Sequence, residues 1–267
     1  MTHSTEPIVR LDHVCKSFGG MEVLRDLCLD VQRGQTTVII GPSGCGKTVL
    51  LRHIVLLVRP DSGRVFFDGA DITDADERDL VPVRRRMGFL FQSGALFDSM
   101  TVAENIHFPL IEHGTLEAEA LESRCRQVLR LVGLDGLQGR MPENLSGGQR
   151  KRVALARAIA LNPELILYDE PTTGLDPIRA DLINELILKL KKELKITAVV
   201  VTHDMASARK VGDRIVMLDQ GRILLDTTPA ELEHVTNETV VRFVQGRASP
   251  EELDELTRGR VEQKGQP

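Results

Sequence analysis

The chain has 267 residues, 42% hydrophobic and 27% charged, a balance that suits a globular protein with a substantial core. A net charge of −5 and a pI near 5.9 give no overall basic field, so nucleic-acid partners are not expected. The longest run without a charge, residues 34–46, is glycine-rich and too short to span a bilayer, and no basic-then-apolar leader opens the chain. Cys15, Cys28, Cys45 and Cys125 form no CxxC pair, so reduced thiols and no cysteine metal centre are expected.

Residues 23–31 and the β-rich "TTVII" at 36–40 read as strands. "GPSGCGKT", residues 41–48, fits G-x-x-x-x-G-K-[ST] between a strand and an apolar-periodic helix, the context in which that motif cradles phosphates. Gly41, Pro42, Ser43, Gly44, Cys45, Gly46 and Val49 supply backbone and helix N-terminus around the anion. Lys47 reaches the β- and γ-phosphates, and the Thr48 hydroxyl ligates Mg²⁺. Cys45 has two readings: a thiol whose pKa the helix N-terminus lowers, or a small residue that fits.

"GRVFFDG" at 63–69 is a short strand, and "RMGFLFQ" is another that ends on Gln92. The following stretch, "FQSGALFDSM" at 91–100, carries no catalytic signature. From Thr101 to about Leu161 the pattern is helical, with helical spacing over 116–132 and a stripe of Val153, Ala156 and Ala160 in "RKRVALARAIAL". Just before that stripe lies "LSGGQ", residues 145–149. Ser146 caps a helix there, Gly147 and Gly148 bare its N–H groups, and a second anion site results. One nucleotide cannot reach both helix N-termini of one chain without distortion, so a head-to-tail dimer is expected, each nucleotide held between two chains.

"LILYDE", residues 165–170, is an apolar strand ending in two carboxylates, Asp169 for Mg²⁺ and Glu170 as the base for the attacking water. "ITAVVVTHD" is a further continuous apolar run, of the kind buried on both faces of a parallel sheet. "DRIVMLDQGRILLD" reads as a hairpin with its turn at Gln220–Gly221. Beyond Arg247 comes a charged tail with a short helix expected at 250–257. The plan is a parallel α/β core, a helical insertion and a C-terminal appendage.

The phosphate loop, LSGGQ and "LILYDEPTTGLDP", in this order, make the chain resemble an ATP-binding-cassette (ABC) ATPase over residues 7–235. The resemblance implies an α/β, P-loop NTPase (RecA-like) fold with an antiparallel β subdomain and an inserted α-helical subdomain. Its boundaries would be a core at 7–91 and 166–235, a helical subdomain at 92–165, and an extension with tail at 236–267. It implies ATP and Mg²⁺ as cofactors. Phe18 stands where the family stacks an aromatic, usually Tyr, on adenine. Gln92 resembles the glutamine that contacts Mg²⁺ or water and senses nucleotide. Asp176 resembles the acid that crosses the dimer interface, and His203 the switch histidine that holds γ-phosphate and water. Ser146, Gly147, Gly148 and Gln149 would embrace the partner's nucleotide.

"RRRMGFLFQSGALFDSMTVAENIHFPL", "GPSGCGKTVLLRHI" and "VRFVQG" resemble the ATPases of Mla/Mce-type transporters, which move phospholipids between bacterial inner and outer membranes. That likeness implies a homodimer on the cytoplasmic face of the inner membrane, peripheral to it. The groove near residues 92–100 would receive permease subunits, with Leu96, Phe97 and Met100 as an apolar floor and Asp98 on its rim. STAS-domain and MCE-domain subunits are the accessory partners it suggests. Val240, Val241, Phe243 and Val244 would either dock on the neighbouring protomer or form a final helix on their own domain. Two alternatives stay open: the ATPase of a polar-solute importer, and a soluble ABC ATPase with no transport role.

Overall fold

The computed structural model describes residues 6–114 and 117–248. A six-stranded sheet lies at its centre in the order β10-β9-β3-β8-β7-β6. These strands are β3 (Thr36–Ile40), β6 (Met87–Leu90), β7 (Leu165–Asp169), β8 (Thr197–Val201), β9 (Arg214–Asp219) and β10 (Arg222–Thr227). All neighbours pair in parallel except β9 and β10, an antiparallel hairpin. Every residue of β3, β7 and β8 is buried, which explains their unbroken apolar text. Side chains alternate between faces. Val38 and Ile40 enter one core with Ile166, Tyr168, Ala198 and Val200, while Ile39, Leu165, Leu167, Val199 and Val201 enter another.

The second core is closed by an antiparallel sheet, β2-β1-β4-β5, and by helix α1 (Lys47–Ile54). Its strands are β1 (Val9–Phe18), β2 (Met21–Val31), β4 (Ser62–Phe67) and β5 (Ala70–Asp71). Sequence periodicity did not expose β1. The pairing of β1 with β2 shifts register three times, and His13 and Asp26 both take left-handed backbones (φ 52° and 53°), which breaks the strict alternation that identifies a strand. Helix α2 (Glu77–Arg85) precedes β6 and was also not foreseen.

The first core is covered by α3 (Val102–His113), α4 (Ala118–Leu131), α5 (Gly147–Ala158), α6 (Pro177–Leu194) and α7 (Met205–Val211). Helices α3 to α5 all fall between β6 and β7, as an inserted helical segment requires. The sequence reading missed the long α6, which Asp176 and Pro177 start as N-cap and first residue. The expected hairpin turn is present, with Gln220 and Gly221 both at positive φ, 44° and 78°. Strand β6 stops at Leu90, so Gln92 lies in the turn after it rather than on the strand, and β7 opens at Leu165, where the apolar run "LILYDE" begins.

Helix α8 (Glu238–Gln245) begins the C-terminal extension. Val240 is 1% exposed in the first core, with Phe243 and Val244 partly buried against it, so one face of this helix rests on its own domain. The short helix expected at 250–257 lies outside the described residues.

Strand β6 approaches the end of α5 too closely for any side chain at Gly88. A Cβ there would stand 2.6 Å from the Ala158 carbonyl oxygen and 3.3 Å from Pro163 Cγ. Gly88→Ala is therefore expected to cost about 1–3 kcal/mol by overpacking, read as a lower urea midpoint at unchanged m-value. An unchanged midpoint would show that α5 can move off the sheet.

Candidate active site

Three chain segments leave the carboxyl edge of the parallel sheet side by side. In register, Ile39 of β3 pairs Val201 of β8, which also pairs Asp169 of β7. The loop after β3, the acids after β7 and the histidine after β8 therefore emerge together, where open α/β sheets bind ligands. They line one cavity of about 520 Å³ with Ser43, Gly44, Gly46, Lys47, Thr48, Val49, Gln92, Glu170 and His203 in its wall.

The loop backbone is shaped by its glycines. Gly41 (φ 148°) lies so close to β9 that a Cβ would sit 2.1 Å from the Leu218 carbonyl oxygen, and Gly46 (φ 105°) abuts the Val23 carbonyl. Lys47 is almost fully buried and its Nζ donates to the carbonyls of Gly41 and Pro42, both at 2.8 Å. This holds the ammonium in the middle of the loop, where the oxygens of a bound anion would compete with the two carbonyls for it. Cys45 corrects one of the two expectations. Its thiol is buried and pushed up by desolvation, against a weaker opposing pull from Lys47, so it is a packing residue and not an activated thiol.

The Thr48 hydroxyl donates to Asp169 Oδ1 at 3.1 Å. Asp169 is 5% exposed, and burial pushes its carboxyl up from the ordinary range. A hydroxyl beside a buried carboxylate is a hard oxygen donor set, and a divalent cation would restore the charge that burial disfavours, so these residues fit Mg²⁺.

Glu170 takes a left-handed backbone, φ 50°, a conformation that costs about 1–3 kcal/mol unless neighbours hold it. Five contacts do so. Its N–H donates to the Val201 carbonyl at 2.9 Å, and its own carbonyl accepts Lys151 Nζ at 3.2 Å and the Thr173 N–H at 3.3 Å. Its Oε2 accepts the Thr173 hydroxyl at 2.9 Å and lies 2.9 Å from His203 Nδ1. The switch-like histidine, read from sequence as a phosphate contact, thus touches the acid directly. Thr173 and Lys151 were not singled out in the sequence. Lys151 sits in the run "RKR", which looks like a solvated face until packing turns its middle residue inward.

The remaining predicted residues lie elsewhere. Ser146 and Gln149 form a capping box at the start of α5: Gln149 N–H donates to Ser146 Oγ at 3.3 Å, and Ser146 N–H to Gln149 Oε1 at 2.8 Å. S-x-x-Q is a sequence-legible signal for that arrangement. Gly147 and Gly148 face Leu175 and Arg179, so this helix start adjoins the N-terminus of α6, which Asp176 caps by accepting from Arg179 N–H at 3.0 Å. Phe18 is 47% exposed at the end of β1 with Lys16 Nζ 5.3 Å from its ring centre, so it is not a core residue of the first sheet. Among the described residues lining the nucleotide-sized cavity, none of these six appears.

The stretch 91–100 is an ordered bridge. Gly94 and Ala95 turn the chain with left-handed backbones (φ 82° and 47°), and Arg157 of α5 donates to both their carbonyls at 3.0 and 2.8 Å. Asn105 of α3, fully buried, accepts from Phe97 N–H at 2.9 Å and donates toward the carbonyls of Phe97, Met100 and Thr101 at 3.0–3.1 Å. Leu96 and Met100 are both half-buried, Leu96 against the core, while Phe97 stands more open. Phe97 packs against Phe108, ring centres 4.8 Å apart and both partly exposed.

The sequence comparisons agree with this geometry. The profile of the ABC transporter family matches residues 24–173. The chain belongs to that family, as an ATP-binding and ATP-hydrolysing subunit. It is 41% identical to the intermembrane phospholipid transport system ATP-binding protein MlaF of Escherichia coli K12 over 248 residues, 93% of this chain and 92% of that one. It is 38% identical to the probable ribonucleotide transport ATP-binding protein mkl of Mycobacterium leprae, over 93% of this chain and 73% of that protein. Among solved structures, a dimeric post-hydrolysis state of the ATP-binding cassette MJ0796 bound to ADP and Pi superposes with a TM-score of 0.77 at 37% identity, covering 83% of this chain and 98% of that one. The cbiO1 subunit from Clostridium perfringens gives a TM-score of 0.79 at 28% identity, covering 95% and 99%.

Asn105→Ala should free the bridge. Removing its amide takes away the bonds that the Phe97 N–H and the Met100 carbonyl make to it, at about 1–3 kcal/mol, while the Phe97 and Thr101 carbonyls keep their backbone donors. Amide exchange at 94–101 is expected to accelerate well before that of the parallel sheet; uniform acceleration would show that the bridge opens only with the whole domain.

Proposed function

We propose that this chain is the energy-supplying subunit of a bacterial phospholipid transporter, working as a homodimer on the cytoplasmic face of the inner membrane. The observation that carries the cargo is the near end-to-end match to MlaF, against a match to mkl that leaves a quarter of that protein uncovered. No helix among the described residues is long and apolar enough to cross a membrane, so in this reading separate permease subunits provide the path.

Glu170 is the general base, its carboxylate aimed into the cavity and oriented by Thr173 and His203. Lys47 and the loop N–H groups hold the β- and γ-phosphates. Thr48 and Asp169, with Gln92 at the rim, would hold Mg²⁺, which neutralises charge on the phosphates. Phe18 stacks on adenine. The capped start of α5, absent from its own chain's cavity, closes the partner's site, and Asp176 beside it crosses the same interface. The dimeric state of the MJ0796 cassette supports this pairing. Closure on ATP and release after hydrolysis move the bridge at 91–100, whose Phe97–Phe108 face meets the permease. STAS-domain and MCE-domain subunits complete the assembly in this reading.

Glu170→Gln is expected to abolish turnover while leaving ATP binding intact, so that the variant elutes from a sizing column as an ATP-dependent dimer. Near-normal turnover would sink the base assignment. Phe97→Asp should leave hydrolysis by the isolated chain within about twofold, because the ring lies outside the cavity, yet abolish recovery of permease and bound phospholipid from detergent-solubilised membranes. Retention of both, or a wild-type complex that carries no phospholipid, would overturn the docking face or the cargo respectively.

A further inference from the structure

Lys151 is a buried cation without a carboxylate in ion-pair contact among the described residues. It is 8% exposed, and desolvation lowers its pKa, only partly offset by the nearby Glu170 and Asp169 charges. Removing an ammonium from water is expensive unless its donors are satisfied. The donors that can be traced go to two backbone carbonyls: one bond reaches Gln92 and the other reaches Glu170 at 3.2 Å. Those carbonyls close the ends of β6 and β7, at the glutamine that lines the cavity and at the acid held in a left-handed backbone.

The lysine that makes both bonds belongs to α5, which begins with the Ser146–Gln149 capping box. Gly148 and Lys151 are three residues apart, about 4.5 Å along the helix axis. A helix is stiff over one turn, so a tilt imposed at its N-terminus arrives at Lys151 almost undiminished. No neighbouring side chain makes both bonds. Arg157 grips the bridge further along, at Gly94 and Ala95, and does not touch Glu170. Thr173 and His203 orient the Glu170 carboxylate, and the Thr173 N–H also donates to the Glu170 carbonyl at 3.3 Å, but neither residue belongs to α5 or bonds to Gln92.

We propose that Lys151 is a positioning residue for hydrolysis: a single tether that sets the backbones of Glu170 and Gln92 according to the orientation of α5. Capture of a partner's nucleotide at the start of α5 would then be felt at this chain's own base and glutamine through one side chain. The proposal rests on the reading of Glu170 as the base, and it adds a route by which the second chain governs that base.

Lys151→Met keeps the side-chain volume and removes both donors. Because a displacement of about 1 Å at a catalytic group costs on the order of 100-fold, kcat should fall about that much. The ATP KM, and the affinity for a fluorescent non-hydrolysable ATP analogue, should stay within about twofold, since the phosphate cradle is untouched. Lys151→Arg, which keeps the charge and several donors, should recover about tenfold of the lost rate, or one factor of ten out of two. A kcat within about threefold of the parent would overturn the proposal. So would a loss of nucleotide affinity equal to the loss of rate, with no recovery in Lys151→Arg, because that pattern marks a fold defect. If Lys151→Met does not fold, Lys151→Gln, a smaller neutral donor, is read by the same criteria. In single-turnover measurements on Glu170→Gln, adding Lys151→Met should change the residual rate by no more than about twofold, and a further 100-fold fall would overturn the route through Glu170. The base assignment itself is judged on Glu170→Gln alone, so a failed base and a failed tether leave different signatures.

Discussion

Burial of the parallel sheet on both faces is the constraint on which the rest of this molecule depends. With β3, β7 and β8 enclosed between two apolar cores, no side chain along them can be charged without a large desolvation penalty. Polar chemistry is driven to the strand ends, and parallel pairing puts those ends on one edge. Val201 is the hub of that edge. It pairs with Ile39 and Asp169, and its carbonyl accepts the Glu170 N–H. The glycine-rich loop, the Asp169 carboxylate and Glu170 thus share a position because one ladder of hydrogen bonds aligns them.

The helical segment inserted between β6 and β7 is joined to that edge by two cations and one amide. Arg157 holds the turn after β6, Lys151 holds Gln92 and Glu170, and Asn105 fastens the far end of the bridge from α3. All of these bonds go to backbone atoms, which cannot rotate away as side chains do, so a movement of α5 is carried into the bridge as a displacement. The bridge performs no chemistry. It lies between a cavity lined by Gln92 and an apolar Phe97–Phe108 face, the position that the proposed coupling to a permease requires.

Local signals in the sequence carried most of the nucleotide site. G-x-x-x-x-G-K-T is readable because each letter answers a local demand: glycines for the turn, a lysine and a hydroxyl at the first helical residues. The same holds for an apolar strand closing on two acids, and for Ser146 and Gln149, whose S-x-x-Q spacing encodes a cap. What escaped was non-local. Strand β1 was hidden by bulges set by its pairing with β2. Leu96 is half-covered by the core, Val240 is buried in it, and Phe108 acquired significance only beside Phe97.

Sequence alone therefore determined the chemistry and its order along the chain, since phosphate cradle, signature helix, acid pair and histidine depend on residues within a few positions of one another. Tertiary structure decided which groups meet. Only folding brings His203 to 2.9 Å from Glu170 across 33 positions, raises the carboxyl of Asp169 by burial, and turns the middle lysine of "RKR" toward two carbonyls at the sheet edge. Those outcomes depend on dielectric and distance, which are properties of the packed chain and are not written in any short stretch of it.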